Sequence, residues 1–124
     1  MYLLDTHTLL WWLDAPEKLS KQAYGLIHHK EEKIFVSPLN AWEIMIKHMR
    51  GKLPLSKHYS MELLREEFDV LPLGLEETFL LKTLPLHHKD PFDRMLVAQA
   101  MVHKLIIITR DPNIPRYGVA VLRA

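Results

Sequence analysis

Apolar residues in this chain cluster in two different ways. Short unbroken runs at Tyr2–Leu4, Ile34–Val36, Val70–Leu73, Leu105–Thr109 and Val119–Leu122 read as strands. Longer stretches with helical spacing separate them: an apolar helix over Thr8–Leu13, an amphipathic one over Leu19–Lys33 with Ser20 near its start, then Leu39–Arg50, Met61–Phe68, Glu76–Leu84 and Pro91–Lys104. Ser37-Pro38 supplies an N-cap with proline at the first helical position, and Gly51 follows the helix in the C′ position. Within Leu39–Arg50, Trp42, Met45, Ile46 and Met49 fall at i, i+3, i+4 and i+7, which predicts a core-facing stripe. Leu105–Thr109 is apolar throughout, as a parallel strand covered on both faces is.

Strands separated by helices need crossover connections. The expected fold is α/β: a mostly parallel sheet of four or five strands, flanked by helices on both faces, in a single domain spanning 1–124. No repeat, low-complexity tract or linker divides it. In such folds ligands bind beyond the carboxyl ends of the strands, so the residues at those ends carry the functional question.

Composition narrows the classes. The 124 residues are 48% hydrophobic and 25% charged, enough for one core. Sixteen Lys and Arg against fifteen Asp and Glu leave a net charge of +1, so bulk charge points to no polyanion. With no cysteine, disulfide scaffolds, thiolate metal sites and cysteine catalysis are excluded. The first residues, MYLLDTHTLLWWLD, place Asp5 inside their only apolar stretch without a basic leader. That matches neither a signal peptide nor a membrane span, and the expected location is cytoplasmic.

Acidic residues recur where strands hand over to helices. Asp5 follows the first strand, Glu43 lies in the helix after the second, Asp90 and Asp93 open the helix before the last long strand, and Asp111 follows that strand. Carboxylates crowded on one sheet edge repel one another, and a hard divalent cation among them relieves the repulsion. Oxygen-only ligands select Mg²⁺ or Mn²⁺ over Zn²⁺. Each acid also has an ordinary explanation. Asp5 reads as an N-cap; Asp90-Pro-Phe-Asp93 reads as a capping-box arrangement with Asp93 in place of Glu; Asp111-Pro112 reads as a turn opener. Glu43 sits more than a turn inside its helix, and its ordinary role is an i,i+4 ion pair with Lys47, worth about 0.2–0.5 kcal/mol.

The eight histidines hold no His-Glu-x-x-His spacing, and the adjacent pairs His28-His29 and His87-His88 do not share a helical face, which argues against zinc. His7, near Asp5, is left open as a substrate contact. Trp11 and Trp12 offer base stacking, although an apolar helix favours core or dimer packing for them.

The stretches YLLDTHTLLWWL, SPLNAWEIMIKHMRGKL and HHKDPFDRMLVAQAMVHKLIIITRDPNI, in this order and spacing, resemble a PIN domain, specifically the small VapC-type ribonuclease toxins of prokaryotic toxin–antitoxin pairs. The resemblance covers essentially the whole chain. It implies that Asp5, Glu43, Asp93 and Asp111 bind metal, Mg²⁺ or a substituting Mn²⁺, and carry the hydrolysis of RNA phosphodiesters. Asp90 belongs to the pattern as well. Asp93 is preferred as the direct ligand because it shares a helical face with Val97 and Ala100, whereas Asp90 has a capping role. Thr6 and Thr109 match positions where the family places a hydroxyl beside the acids. Lys47, Arg50, Lys52, Arg94, Arg110 and Arg116 are candidates for steering the RNA backbone. The implied partners are the RNA substrate, a cognate antitoxin protein and a second copy of the chain, with the Thr8–Leu13 helix available for an interface.

Other classes fit less well. An aspartyl phosphatase wants a second Asp two residues after the first, where His7 stands; a receiver module wants an Asp after the Val70–Leu73 run; the four glycines form no phosphate-cradling loop. A PIN-like module that binds RNA or protein without catalysis is the remaining alternative.

Overall fold

In the computed structural model, which describes residues 1–124, five strands form one sheet: β1 (Tyr2–Leu4), β2 (Ile34–Val36), β3 (Asp69–Val70), β4 (Ile106–Thr109) and β5 (Val121–Arg123). The order across the sheet is β3-β2-β1-β4-β5, and every neighbouring pair is parallel. Six α-helices connect and cover the strands: α1 (Thr6–Asp14), α2 (Lys21–His29), α3 (Pro38–Met49), α4 (Met61–Glu67), α5 (Leu75–Leu80) and α6 (Pro91–His103), with three 3₁₀ turns besides. The expected α/β architecture is the observed one.

Period-two alternation sends successive strand residues to opposite faces. Tyr2, Leu4 and Ile108 point into one core with Leu9, Ala23 and Ile27 of α1 and α2; Leu3 and Ile107 point into the other with Leu96, Val97 and Ala100 of α6. The chain leaves β1 to form β2 on one side and β4 on the other. Their carboxyl ends therefore frame the crevice where the winding direction reverses.

Several element boundaries differ from the sequence pattern. α2 is shorter than Leu19–Lys33 and stops at Lys30, in the left-handed region at φ 55°. The third strand is Asp69–Val70 rather than Val70–Leu73, and the Glu76–Leu84 pattern resolves into α5 and a 3₁₀ turn at Leu81–Thr83. The largest correction concerns α3. Trp42, Met45 and Met49 do not face the core; Trp42 is 58% and Met49 80% exposed. The buried face is rotated around the helix to Leu39, Asn40, Glu43 and Ile44. Polar anchoring overrides the hydrophobic stripe here. The Asn40 carboxamide accepts from Ser37 N–H at 2.8 Å and donates to Leu4 O and Thr6 Oγ1, both at 3.2 Å, which turns this face toward β1.

Candidate functional site

Asp5 stands at the end of β1 and performs two jobs. Its Oδ1 caps α1 by accepting from Thr8 N–H at 2.8 Å, and its Oδ2 accepts the hydroxyl of Thr109 at the end of β4. The Thr8 hydroxyl donates to Ile108 O at 2.9 Å, so the same turn of helix also ties β1 to β4. Thr109 Oγ1 in turn accepts from Asp111 N–H at 3.0 Å. The ordinary capping role of Asp5 is real, and it fixes the carboxylate at the crevice.

Glu43 reaches the same place from α3. It is buried, accepts the Thr6 hydroxyl at 2.7 Å through Oε1, and pairs through Oε2 with Lys47 at 3.0 Å. The ion pair anticipated in the sequence is present, but the carboxylate it holds is sequestered beside β1. Thr6 and Thr109 thus direct their hydroxyls onto carboxylates, Glu43 and Asp5 respectively.

At the head of α6, Asp90 caps the helix by accepting from Phe92 N–H at 2.8 Å and Asp93 N–H at 3.3 Å. The reciprocal half of the anticipated capping box is missing: Asp90 N–H donates instead to His88 Nδ1 at 3.1 Å. Asp93 is therefore not used as a cap and turns inward, its Oδ2 lying 3.1 Å from His88 Nε2. Asp111 Oδ1 accepts from Asn113 N–H at 2.8 Å while its Oδ2 lies 2.6 Å from the same His88 nitrogen. One donor atom each from His88, Asp93 and Asp111 falls within a 4.8 Å cluster, and Asp5 and Glu43, outside that set, are near enough for their charges to act on Asp93.

Electrostatics mark Asp93 as the hub. Burial and then the neighbouring Asp90 push its carboxyl up to about 7; Glu43 and Asp5 add to the rise and His88 opposes it. Burial pulls the His88 imidazole down, but its bond to Asp111 and the charges of Asp93, Asp111 and Asp90 outweigh this and raise it.

His88 is the residue the sequence reading missed. Adjacency to His87 argued against a shared metal, yet only His88 faces the acids. Its place two residues before the capping Asp90 was the available signal. The loop is held from behind: Tyr117 Oη accepts from His87 N–H at 3.1 Å and His88 N–H at 2.9 Å.

The basic candidates separate into two groups. Arg94 donates to Pro85 O, Tyr117 Oη, Leu81 O and Leu84 O, which ties the loop before α6 to the helix. Arg110 donates to main-chain oxygens of Lys18 and Ala124 and lies 4.5 Å over the Trp11 ring. Both guanidinium groups are engaged within the fold. Arg116 reaches only Asn113 Oδ1, at 3.5 Å. Lys47, Arg50 and Lys52 instead line a cleft that Glu43 and Asp90 also border. Trp12 is anchored through its indole N–H to Glu67 at 2.6 Å, and Trp11 and Trp12 pack half-buried against the core. His7 is exposed, its ring 6.2 Å from that of Trp11.

A PIN domain family model matches residues 2–120. The chain is 27% identical over 112 residues to Ribonuclease VapC22 of Mycobacterium tuberculosis, spanning 88% of this chain and 85% of that protein. Among solved structures, FitAcB from Neisseria gonorrhoeae superposes with a TM-score of 0.74 at 18% identity, over 99% of this chain and 97% of that one. VapBC2 from Rickettsia felis, bound to a DNA fragment from its promoter, gives 0.71 at 12% identity over 98% and 96%. A toxin–antitoxin complex from Klebsiella pneumoniae gives 0.69 at 18% identity over 99% and 97%.

Proposed function

This chain belongs to the PIN domain family, and from that premise we propose that it is a metal-dependent endoribonuclease, the toxin of a toxin–antitoxin pair. The observation that carries the reading is the convergence on one sheet edge of Asp5, Glu43, Asp93 and Asp111, with Asp93 pushed up to about 7 by burial and its acidic neighbours. Negative charge is in excess there, and every donor except His88 Nε2 is a carboxylate oxygen, a set that fits Mg²⁺ or Mn²⁺. The likeness to a ribonuclease along 88% of the chain supports the same substrate class.

When bound, a divalent ion supplies Lewis acidity, which lowers the pKa of water and offsets charge on the attacked phosphate. The protein's own residues do the holding. Thr8 N–H and the Thr109 hydroxyl fix Asp5, and Thr6 and Lys47 fix Glu43. Asn113 N–H orients Asp111 so that Oδ2 meets His88 Nε2. Asp90 keeps the helix N-terminus closed and sets the position of Asp93 one turn along. No side chain is required as a covalent nucleophile.

The proposed partners are RNA, a cognate antitoxin and a second copy of the chain; the Klebsiella neighbour is itself a toxin–antitoxin complex. No helix is long and apolar enough to cross a membrane, and the proposed location is the cytoplasm. The deciding experiment is incubation of purified protein with total cellular RNA in Mg²⁺ or Mn²⁺ against EDTA, with Asp5→Asn as control. Discrete fragments that require metal and vanish in the variant support the reading. Absence of cleavage while metal still raises the melting temperature points to a binding-only domain, and absence of both returns the acids to helix caps.

A further inference from the structure

Beside the acidic edge lies a cleft of about 240 Å³ between α3 and the start of α6. Ile46, Pro91 and Phe92 form its apolar side, and Lys47, Arg50 and Lys52 its basic side. Trp42, displaced from the core as described above, stands edge-on to Phe92 with ring centroids 5.1 Å apart and an interplanar angle of 83°. Lys47 is committed to Glu43. Arg50 and Lys52 are exposed, and no carboxylate lies within 4.0 Å of either.

We propose that this cleft is the subsite for the nucleotide next to the scissile phosphate of a single-stranded RNA, with Phe92, braced by Trp42, as the stacking surface for its base and Arg50 and Lys52 as the clamp on its phosphate. This inference rests on the ribonuclease reading and gives it a substrate-binding path. A polyanion approaching four carboxylates is repelled unless unpaired positive charge stands beside them, and Arg50 and Lys52 are that charge at the border shared with Glu43 and Asp90. An aromatic face next to paired cations is the arrangement that holds single strands without reading sequence. The cleft lies below the roughly 300–1,000 Å³ of drug-sized ligand sites and suits one ring system rather than a cofactor. A half-buried Phe92 beside the exposed Trp42 and free cations also fits a base and phosphate better than the apolar contact of a second copy of the chain.

The test is fluorescence-anisotropy binding of a labelled, uncleavable 2′-O-methyl pentanucleotide, in EDTA and over a range of salt, to wild type, Arg50→Ala/Lys52→Ala and Phe92→Leu. Expected are about tenfold weaker binding by the double variant with a salt slope reduced by about 1.4, the effect of two single-strand phosphate contacts, and a loss of about five-fold or more for Phe92→Leu. Thermal melting confirms that each variant is folded, and Trp42→Leu reports on the brace if Phe92→Leu is not. Cleavage of total RNA by wild type, with KM unchanged in the double variant and binding at wild-type strength, overturns the subsite while leaving the nuclease reading intact. Failure of wild type both to cleave and to bind overturns both. Variants that bind like wild type yet lose self-association in size-exclusion chromatography assign this face to a contact between copies of the chain and overturn the proposal.

Discussion

His88 Nε2 lies 2.6 Å from Asp111 Oδ2 and 3.1 Å from Asp93 Oδ2, so a single imidazole bridges an acid at the start of α6 and one in the loop after β4. When protonated, it supplies the positive charge that the cluster otherwise lacks. Its raised pKa means that the stability it contributes is complete below its unfolded value, near 6.5, and is lost as pH rises through the folded value. Asp93 acts in the same direction. With its folded pKa raised to about 7 from an ordinary 3.8, ionising it costs stability as pH climbs between those values. The metal-free protein is therefore expected to melt at a higher temperature at pH 6 than at pH 8.5. Asp93→Asn should raise the alkaline melting temperature by roughly 5 °C, the scale of about 1–2 kcal/mol in a domain of this size. Saturating Mg²⁺ or Mn²⁺ should narrow the pH dependence of wild type and not of Asp93→Asn. Melting curves at the two pH values, with and without metal, check all three outcomes, and a pH-independent melting temperature contradicts them.

Removing charge from the proposed ligands while keeping their shape separates chemistry from folding. Asp5→Asn, Glu43→Gln and Asp93→Asn are each expected to lower RNA cleavage at least 100-fold, the scale lost when groups that orient a metal are disturbed. The circular dichroism of each variant should stay native. Asp90→Asn should be milder, because an asparagine oxygen still accepts from Phe92 and Asp93 N–H. Initial rates on one RNA substrate rank the four variants. Total loss at Asp90 with none at Asp93 reverses the assignment of the inward-facing acid.

The bonds of Arg94 within the fold predict a mainly structural role for it. Its fork reaches three carbonyls and the Tyr117 hydroxyl that receives His87 and His88 N–H. Arg94→Ala is expected to destabilise the fold by about 2 kcal/mol, since several charge-assisted bonds are left without a donor. Arg94→Lys should recover little of this, because one ammonium cannot span the same acceptors. RNA affinity measured in EDTA at low temperature should be unchanged. A selective loss of affinity with full stability would restore Arg94 to the substrate path.

The fold was legible because its central strands β1, β2 and β4 are apolar runs and its connections are helical, which leaves few topologies. The acids were legible for a different reason: Asp5 and Asp111 follow strands, Asp90 and Asp93 open a helix, and Glu43 lies inside a helix where no cap explains it. Two things were not. Hydrophobic spacing placed Trp42 and Met49 in the core, but the helix rotates to satisfy Asn40 and Glu43, and no periodicity in apolar residues encodes the buried hydrogen bonds that turn it. His88 could not be paired with Asp111, 23 positions away, without knowing that β4 ends beside the loop before α6. The boundaries of α2 and β3 depend on where Lys30 turns left-handed and where pairing with β2 stops, both tertiary outcomes.

A buried glutamate paired with an exposed histidine, remote from the acidic edge, gives a separate handle on stability. Glu77 is 3% exposed; its Oε2 accepts from Gly74 N–H at 2.9 Å, closing the start of α5, and its Oε1 lies 2.7 Å from His103 Nε2 at the end of α6. Burial pushes the Glu77 carboxyl up, but backbone hydrogen bonds and the bond and charge of His103 together outweigh it and hold the group below the usual carboxylate range. A depressed folded pKa contributes stability that is present above the unfolded value, near 4.5, and lost as pH falls through the folded one. Glu77→Gln is accordingly expected to destabilise the protein by about 1–3 kcal/mol at pH 7, with the gap to wild type closing as the pH drops below 4. Gly74→Ala should mimic part of the loss, because a Cβ there would come within 2.7 Å of Glu77 Oε2 and displace it from the cap. Urea denaturation of the three proteins at pH 7 and pH 4 measures both differences. Equal stability of wild type and Glu77→Gln at pH 7 would show that the bonds to Gly74 and His103 only offset the cost of burying the carboxylate.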